Sequence, residues 1–305
     1  NFPALVGSIR EIWGGACVLW NVPLGHGATF NGVVSTLHVP DDTTGALLNP
    51  HEIHDPLLES IIEVDEGVME RYFDGTPPTD EELSGLIVRA IAEGTLVPIV
   101  CCSGKTGVGV KELLDTVATY GLTPDTRPRT VSKGDEQMQV KADPNGPLVA
   151  HVFKTRIDPF VQKLSFIRIH SGTIQRDDVV PVSTARKPVK LGPLLRVQAA
   201  DTESVDQAGP GEIVAIAKMD ELPTGATLGD WSFPTIAFPT PMVGLAVTPK
   251  SRGDETKLSG ALHKIVEEDP TIQLHRDAQT HELVMNGMSE LHLQMIQERL
   301  KRRDK

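Results

Sequence analysis

The loop Ser103-Gly104-Lys105 offers the residues best suited to hold a ligand. Ser103 to Gly109 supplies small and turn-forming residues, which break the apolar run before it. The apolar run Leu96–Cys102 precedes the loop and predicts a strand buried on both faces. Ligands bind at the carboxyl ends of strands in α/β units, so we predict a binding site at this loop. The helix expected after it is indicated by Val110, Leu113, Leu114 and Val117 at helical spacing.

Gly104-Lys105-Thr106 is similar to the end of the phosphate-binding sequence GxxxxGK[ST]. That sequence needs a glycine five residues before Gly104, and this chain has Ile99 there. Without glycine at that point, the backbone amides cannot curl around a phosphate. An ordinary strand-to-helix turn is therefore the favoured interpretation. A nucleotide bound at this loop would need its phosphates held by something other than this segment.

Other patterns of catalytic or metal-binding residues are missing from the sequence. The ten histidines form no HExxH motif and the three cysteines form no CxxC motif, which argues against a zinc site. No serine lies in GxSxG, which argues against an α/β-hydrolase triad. Arg186-Lys187 with Lys190, and the terminal Lys301-Arg302-Arg303, could contact phosphate. Each basic cluster alone is more typical of a solvated surface.

Length and composition set the general class of the protein. At 305 residues, of which 39% are hydrophobic and 23% charged, the chain can form two or three globular domains. Its net charge of −12 argues against non-specific binding of nucleic acid by the whole surface. We expect Cys101-Cys102 to be free thiols in a buried strand, as in the reducing cytoplasm. No apolar run could span a membrane and Asn1-Phe2-Pro3 begins no signal peptide, so we expect a cytoplasmic segment of a longer protein.

Hydrophobic periodicity predicts the elements that precede the loop. Thr79 and Glu82 form a capping box, which begins a helix that should end near Gly94. The stretch Pro56–Phe73 predicts one continuous amphipathic helix, whereas Val39–His54 predicts an irregular polar segment. The other elements expected here are a helix over Pro3–Ile12 and strands over Ala16–Val22 and Phe30–Leu37.

Two changes in composition divide the chain further. A polar stretch from Thr123 to Pro147 predicts a linker, and a proline cluster over Trp231–Pro241 predicts a second boundary. Between them, short strands separated by turn residues predict one small closed barrel over Leu148–Gly229. Its turns at Ser171-Gly172 and Gly209-Pro210-Gly211 should lie on the surface. The barrel strands expected are Val149–Lys154, Leu164–Ile169, Val179–Val182 and Ile213–Ala217.

The last part of the chain has the element order βαββα, which predicts a ferredoxin-like split βαβ domain without its last strand. The predicted fold class is therefore multidomain, with an α/β region, a β-barrel and an α+β domain in that order. The five elements expected are a strand over Met242–Thr248, a helix over Asp254–Glu268, strands over Thr271–Arg276 and His281–Asn286, and a helix from Met288 onward.

Several long motifs, in this order, resemble the elongation factor G family of ribosomal GTPases. Asp158–Phe166 followed by Ser171-Gly172-Thr173 is similar to the family's DPFVGKLxF…SG signature in domain II. Glu267–Pro270 and Gly287–Leu293 are similar to its EEDP and GMGELHL motifs in domain III. The segments that resemble the insert in the family's GTPase domain are Pro23-Leu24-Gly25, Phe30-Asn31-Gly32 and Pro77–Leu83.

The resemblance implies a role for each region. Residues 1–124 would be the C-terminal remainder of a P-loop GTPase domain with its insert, 147–232 the translation-factor β-barrel, and 241–305 a truncated domain III. Ser103, Gly104 and Lys105 would contact the guanine base, as the family's last GTPase motif does. The phosphate loop, both switches and the Asn-Lys-x-Asp motif would precede Asn1. GTP or GDP with Mg²⁺ would thus bind the parent protein, and this chain alone should neither bind nucleotide tightly nor hydrolyse it.

The resemblance also implies a partner and an activity. The parent would promote translocation of tRNA and mRNA, and domains II and III would contact ribosomal RNA and proteins, with no membrane partner. Gly104 replaces alanine, Ser289 replaces glycine and Ser35 stands where the family usually has aspartate. A recycling or ribosomal protection paralogue therefore stays open, as does a non-enzymatic ribosome-interaction module with the same folds. The chain alone would be monomeric, or would associate through its exposed cut edge.

Overall fold

A computed structural model describes residues 1–126, 128–158, 162–249 and 251–303 of the chain. The chain divides into two compact units, Asn1–Arg127 and Pro128–Lys305. Pro159, Phe160 and Val161, which belong to the domain II signature, lie outside the described residues, as do the last two residues of the predicted final helix.

The first unit combines five helices with four short strands. Its strands are β1 (Cys17–Leu19), β2 (Asn21–Leu24), β3 (Gly32–Ser35) and β4 (Val97–Ile99). Its helices are α1 (Phe2–Trp13), α2 (Pro50–Ile62), α3 (Glu66–Phe73), α4 (Asp80–Glu93) and α5 (Val110–Tyr120). Strands β2 and β3 form an antiparallel hairpin, while β1 and β4 pair in parallel.

The single helix predicted over Pro56–Phe73 is wrong, because two helices occupy this stretch. The side chain of Asp65 accepts a hydrogen bond from the amide of Val68 at 3.1 Å and begins α3 as its N-cap. Asn49 accepts from the amide of His51 in the same way, so that α2 begins inside the segment predicted to be irregular. Both boundaries are set by a short polar side chain that competes for backbone donors, which a hydrophobic period does not detect.

The capping box at Thr79 is confirmed at the start of α4. Thr79 Oγ1 accepts from the amide of Glu82 at 3.3 Å, and Glu82 Oε2 accepts from the amide of Thr79 at 3.0 Å. The helix ends at Gly94 in the left-handed conformation, with φ 81°.

Helices α2 and α4 supply most of the core of the first unit, which comprises Leu57, Leu58, Ile61, Ile62, Leu83, Leu86, Ile87 and Ala90 with Val18, Trp20, Leu37, Val64, Val68 and Leu96.

Strand β4 is shorter and more exposed than the apolar run predicts. It pairs only with β1 among the described strands, in the register Cys17 with Val97 and Leu19 with Ile99. Val97 is 45% exposed, so the expectation of burial on both faces is wrong. A strand with one neighbour keeps an open edge, and α5 contributes no buried side chain to cover it.

Within its described residues, the second unit contains the remaining strands and two α-helices. A six-stranded antiparallel sheet in the order β13-β12-β15-β8-β7-β16 forms most of the barrel. Its strands are β7 (Val149–Asp158), β8 (Gln162–Ser171), β12 (Leu194–Gln198), β13 (Asp201–Val205), β15 (Ile213–Ala217) and β16 (Thr227–Leu228). Four shorter strands pair beside this sheet, namely β9 (Ile174–Gln175) with β14 (Gln207–Ala208), and β10 (Val179–Val180) with β11 (Val189–Lys190).

One hydrophobic core lies inside the barrel, as the turn spacing predicts. Side chains from both the large sheet and the short strands meet in it, including Ile167, Ile216 and Ile174, all fully buried. The turn at Ser171-Gly172 is not on the surface, so that expectation is wrong. Gly172 has φ 73°, and a Cβ there would lie 2.8 Å from Leu148 Cα, because residues 143–148 cover the turn.

The stretch predicted to be a linker, Thr123–Pro147, contains an antiparallel hairpin. Its strands are β5 (Arg129–Lys133) and β6 (Glu136–Val140). Val131 and Val140 are buried against Val149, with Trp231 and Phe233 packed beside them. The linker expectation is therefore wrong for these residues. Polar side chains dominate the hairpin because few of its residues, Val131 with Met138 and Val140, face the small cluster.

The last part of the second unit has the predicted order βαββα. Its strands are β17 (Val243–Val247), β18 (Gln273–Arg276) and β19 (Leu283–Gly287), which form a sheet in the order β17-β19-β18. This is the order that the first three strands of a ferredoxin-like fold adopt. The helices α6 (Glu255–Glu268) and α7 (Glu290–Arg303) bury Leu262, Ile265, Leu293 and Ile296 against Ile272 and Met285.

Candidate functional site

The loop Ser103-Gly104-Lys105 begins just past the carboxyl end of β4, where the sequence predicts it. The amide of Trp20 donates to the carbonyl of Ile99 at 2.9 Å and extends the parallel pairing of β1 and β4 to that point. The chain then leaves the sheet and turns into α5 at Val110. A ligand at this end of the sheet would face the loop directly.

Hydrogen bonds within the turn fix the conformation of the loop. The amide of Ser103 donates to the carbonyl of Val108 at 2.8 Å, and the amide of Gly107 donates to the carbonyl of Ser103 at 2.8 Å. Ser103 Oγ also accepts from the amide of Thr106 at 3.3 Å. Gly109 has φ 74°, and a Cβ there would lie 2.5 Å from the carbonyl oxygen of Cys101. Only glycine therefore allows the chain to close this turn against Cys101.

Asn21, at the start of β2, holds the segment just before the loop. Its Oδ1 accepts a hydrogen bond from the amide of Cys101 at 2.7 Å, and the residue is only 3% exposed. Its Nδ2 is buried with no hydrogen-bond partner among the described residues. Asn21 and Cys101 are 80 residues apart, so no local signal in the sequence could have identified Asn21 as a positioning residue.

The loop leaves backbone donors available to a ligand. Gly104 and Lys105 are exposed, and neither amide donates a hydrogen bond to another group within the described chain. A Cβ at Gly104 would meet no atom within 4 Å, so a flat group has room to approach there. Two N–H donors on a fixed turn suit a carbonyl oxygen in the plane of a base. The Ser103 hydroxyl is engaged with the amide of Thr106, so the free backbone donors of the loop suit binding of a ligand.

The two cysteines before the loop differ from the expectation of a buried pair. Strand β4 ends at Ile99, so both thiols lie beyond the strand; Cys101 is partly buried and Cys102 is exposed. Burial, and secondarily the nearby Cys102 thiol, raises the pKa of Cys101 to about 11. Cys101 therefore stays a neutral thiol at physiological pH, and its Sγ donates weakly to the carbonyl of Asn21.

The two basic clusters have different surroundings. Arg186, Lys187 and Lys190 line an open depression of about 710 Å³ on the barrel, where Lys190 pairs with Asp177 at 3.1 Å. In the terminal cluster, Lys301 pairs with Glu298, and Arg303 pairs with Glu268 at 3.0 Å. The terminal cluster is thus largely engaged within the protein itself.

Two further observations concern sites of other kinds. Within the described ranges, no group of three or more histidine, cysteine, aspartate or glutamate side chains is placed to hold a metal ion. Among the same residues, none of the helices is both long enough and apolar enough to cross a membrane.

Comparison with known proteins agrees with the order of the domains. Residues 147–230 match the family model "Elongation factor G domain 2", and residues 238–305 match "Elongation Factor G, domain III". Elongation factor G of Thermotoga neapolitana is 34% identical over 304 residues, which cover 92% of this chain and 44% of that protein. A crystal structure of a Thermus thermophilus protein matches with a TM-score of 0.80 and 28% identity, over 99% of this chain and 46% of that one.

The two consecutive matches define the class of the chain as a multidomain segment that carries the second and third domains of an elongation factor G. The chain spans a little under half the length of the curated relative that it matches. Its matches extend from the α/β unit through the barrel to the βαββα domain, as the motifs in the sequence indicate. The chain belongs to the elongation factor G family.

Proposed function

We propose that this chain is part of a GTP-binding translation factor that binds the ribosome in the cytoplasm and promotes translocation of tRNA and mRNA. The observation that carries the proposal is the loop at the carboxyl end of β4, preceding two consecutive elongation factor G domains. Membership of the family supports the ribosome as partner, and in this proposal the barrel and the βαββα domain make the contact. The recycling, protection and non-enzymatic alternatives are outcomes of the tests below.

In this proposal Ser103, Gly104 and Lys105 recognise the guanine base. The amides of Gly104 and Lys105 donate to the C6 carbonyl oxygen, while the turn held by Ser103 and Val108 keeps both donors in place. Adenine carries an amino group at C6, which is itself a hydrogen-bond donor and would face the two amide donors of the loop. The loop thus selects guanine, and the phosphates and Mg²⁺ would be held by other segments of the parent protein.

The test compares GTP with 2-aminopurine riboside triphosphate, which lacks the C6 oxygen. The protein is expressed with the coding sequence upstream of Asn1, and the variant Ser103→Pro removes the amide that fixes the turn. We expect Ser103→Pro to weaken GTP binding about tenfold, the loss of about one hydrogen bond, and to leave binding of the analogue within about twofold. Lys111→Gln, on the exposed face of α5, is the matched control. Equal losses for the two nucleotides would refute recognition of the base by the loop.

A second measurement separates the activities of the whole protein. With ribosomes carrying tRNA in the pre-translocation state, we expect GTP-dependent movement of tRNA and mRNA. Splitting of ribosomal subunits or release of a bound antibiotic in its place would establish recycling or protection instead. The 305-residue chain alone should turn over GTP no faster than its Ser103→Pro variant, and faster turnover would contradict the proposal.

A further inference from the structure

Helix α6 ends in a group of carboxylates that destabilises the helix itself. Glu267, Glu268 and Asp269 stand together at its C-terminus, and no basic residue lies in its last turn. The C-terminus of a helix carries partial negative charge, so carboxylates there are repelled. Partners from elsewhere in the second unit must therefore stabilise these carboxylates, and the contacts of Glu268 show which residues do so.

One oxygen of Glu268 binds the barrel. Its Oε1 accepts a hydrogen bond from the backbone amide of Ile157, on β7, at 2.7 Å across 111 positions of sequence. The Glu268 side chain is only 12% exposed, so water competes weakly for this bond. A short bond from a neutral amide to a largely buried carboxylate is among the stronger kinds of hydrogen bond in proteins.

The other oxygen of Glu268 binds the last helix. Oε2 accepts from Arg303 Nη1 at 3.0 Å and from Arg299 Nη1 at 3.4 Å, both on α7. The Arg303 side chain is 17% exposed, which makes this ion pair much less hydrated than the Lys301–Glu298 pair on the same helix. A single carboxylate thus joins β7, α6 and α7, and we call Glu268 with Ile157, Arg299 and Arg303 the Glu268 junction.

A neighbouring contact strengthens the same interface. Lys163, on β8 in register with Ile157, is 7% exposed in its side chain and lies 3.8 Å from Glu267 Oε2. Its Nζ also donates to the carbonyl of Asp220 at 3.4 Å. Residues of both sequence signatures, one in the barrel and one at the end of α6, therefore meet at this place.

We infer that Glu268 is a positioning residue that fixes the barrel against the βαββα domain through the Glu268 junction. Its role does not depend on nucleotide, and the inference stands apart from the proposed recognition of guanine. Without Glu268, both domains keep their own cores, but the orientation between them broadens. The acid at the unfavourable end of α6 serves the interface rather than the helix.

The experiment measures both the contact and its consequence in the full 305-residue chain. Spin labels are placed by Thr202→Cys on the barrel and Gln297→Cys on α7, in a background with Cys102→Ser so that the exposed native thiol is not labelled. Pulsed dipolar spectroscopy gives the distribution of distances between the labels. Hydrogen exchange by mass spectrometry follows the peptide that contains the amide of Ile157.

For Glu268→Ala we expect a broader distance distribution and exchange at Ile157 about tenfold faster, while β15 keeps its protection. Glu268→Gln still offers an oxygen to Ile157 but no charge to the arginines. We therefore expect Ile157 to exchange within about threefold of the parent, with faster exchange over residues 299–303. Glu298→Gln, an exposed carboxylate on α7, is the matched control and should change neither readout at the junction.

An unchanged distance distribution in Glu268→Ala would overturn the inference, even with faster exchange at Ile157. Loss of protection in β15 would also overturn it, because Glu268 would then support folding of the barrel rather than its orientation. If Glu268→Gln leaves residues 299–303 as protected as in the parent, the arginines have no part in the junction.

Discussion

The barrel and the segment formed by β4 and α5 both have apolar sequences, yet their side chains have different surroundings. In the barrel, Ile167 and Ile216 are fully buried in a core shared by strands from all sides. In β4 and α5, Val97 is 45% exposed and Leu114 and Val117 are 62% and 60% exposed, although β1 beside β4 is buried. An apolar period thus indicates which element forms, whereas burial depends on what other elements lie against it.

This difference predicts very different costs for the same kind of substitution. Ile216→Ala opens a cavity in the barrel and should lower its free energy of unfolding by about 2–5 kcal/mol. Leu114→Ala removes an exposed side chain from a helix that alanine favours, and should change stability by no more than about 0.5 kcal/mol. Urea denaturation and, separately, calorimetry measure the free energy of unfolding of both variants. A cost above about 2 kcal/mol for Leu114→Ala would mean that α5 is covered in solution.

Protection of backbone amides from hydrogen exchange is a second test of the difference between the barrel and α5. We expect backbone amides of β8 to exchange at least tenfold more slowly than those of α5, a difference of about 1.4 kcal/mol or more in opening free energy. Helix α7 should exchange faster than β8 as well, since only Leu293 and Ile296 are buried along its described residues. Hydrogen exchange by mass spectrometry at neutral pH gives these rates, and equal rates for α5 and β8 would remove the distinction between the two regions.

The barrel should also respond to pH through two histidines that pack on one aromatic ring. The ring of His170 packs on Phe233 with centroids 4.7 Å apart, and burial, followed by the charges of Arg168 and Arg129, lowers its pKa to about 4. His151 packs on the same ring at 5.0 Å, and burial lowers its pKa too. The unfolded chain takes up protons near the ordinary histidine pKa of about 6.5, so stability should fall as pH drops from about 6.5 toward 4.

Replacement of one histidine separates its contribution to the pH dependence of stability from that of the aspartates and glutamates, which titrate in the same range. His170→Asn cannot take up a proton, so the loss of stability between about pH 6.5 and pH 4 should be smaller than in the parent. Thermal unfolding at a series of pH values measures the difference between the two curves. Parallel curves for the parent and His170→Asn would show that His170 titrates alike in the folded and unfolded chain.

A modest effect is expected at the boundary between α2 and α3. Asp65→Ala removes the acceptor for the amide of Val68 and should destabilise the first unit by about 1 kcal/mol, while the barrel is unaffected. Asp65→Asn keeps an acceptor and should recover most of the loss. Differential scanning calorimetry that resolves the two units would check this, and an equal shift in both units would contradict their independence.

The sequence was sufficient for features that depend on neighbouring residues. The capping box at Thr79 and the end of its helix near Gly94 were predicted because each signal lies within a few positions of chain. The order βαββα was predicted because each of its elements carries its own period. The loop at Ser103 was placed correctly after β4 for a similar reason, since turn-forming glycines follow the apolar run directly.

Features that depend on distant residues were missed. Asn21 positions Cys101 across 80 residues, and Glu268 binds Ile157 across 111. The hairpin β5–β6 was missed because its burial is against Trp231 and Phe233, which lie far along the chain. The exposure of Val97 and Cys102 was also missed. It depends on how many strands and helices lie beside the apolar run, which the run itself does not indicate.

The way the barrel begins and ends determines how it would respond to a pulling force. Strand β7 starts at Val149 and β16 ends at Leu228, and the two pair antiparallel through only two registers, Thr227 with His151 and Leu228 with Ala150. Just outside them, Ser132 pairs with Ser232 through two backbone hydrogen bonds. The start of β7 and the end of β16 lie at the same end of the antiparallel pair. A pulling force applied through the flanking chain would therefore break these pairs in sequence, in the unzipping geometry, rather than all together in shear. The Ser132–Ser232 pair would open first, so the barrel should yield at low force from its own ends while its interior sheet stays intact.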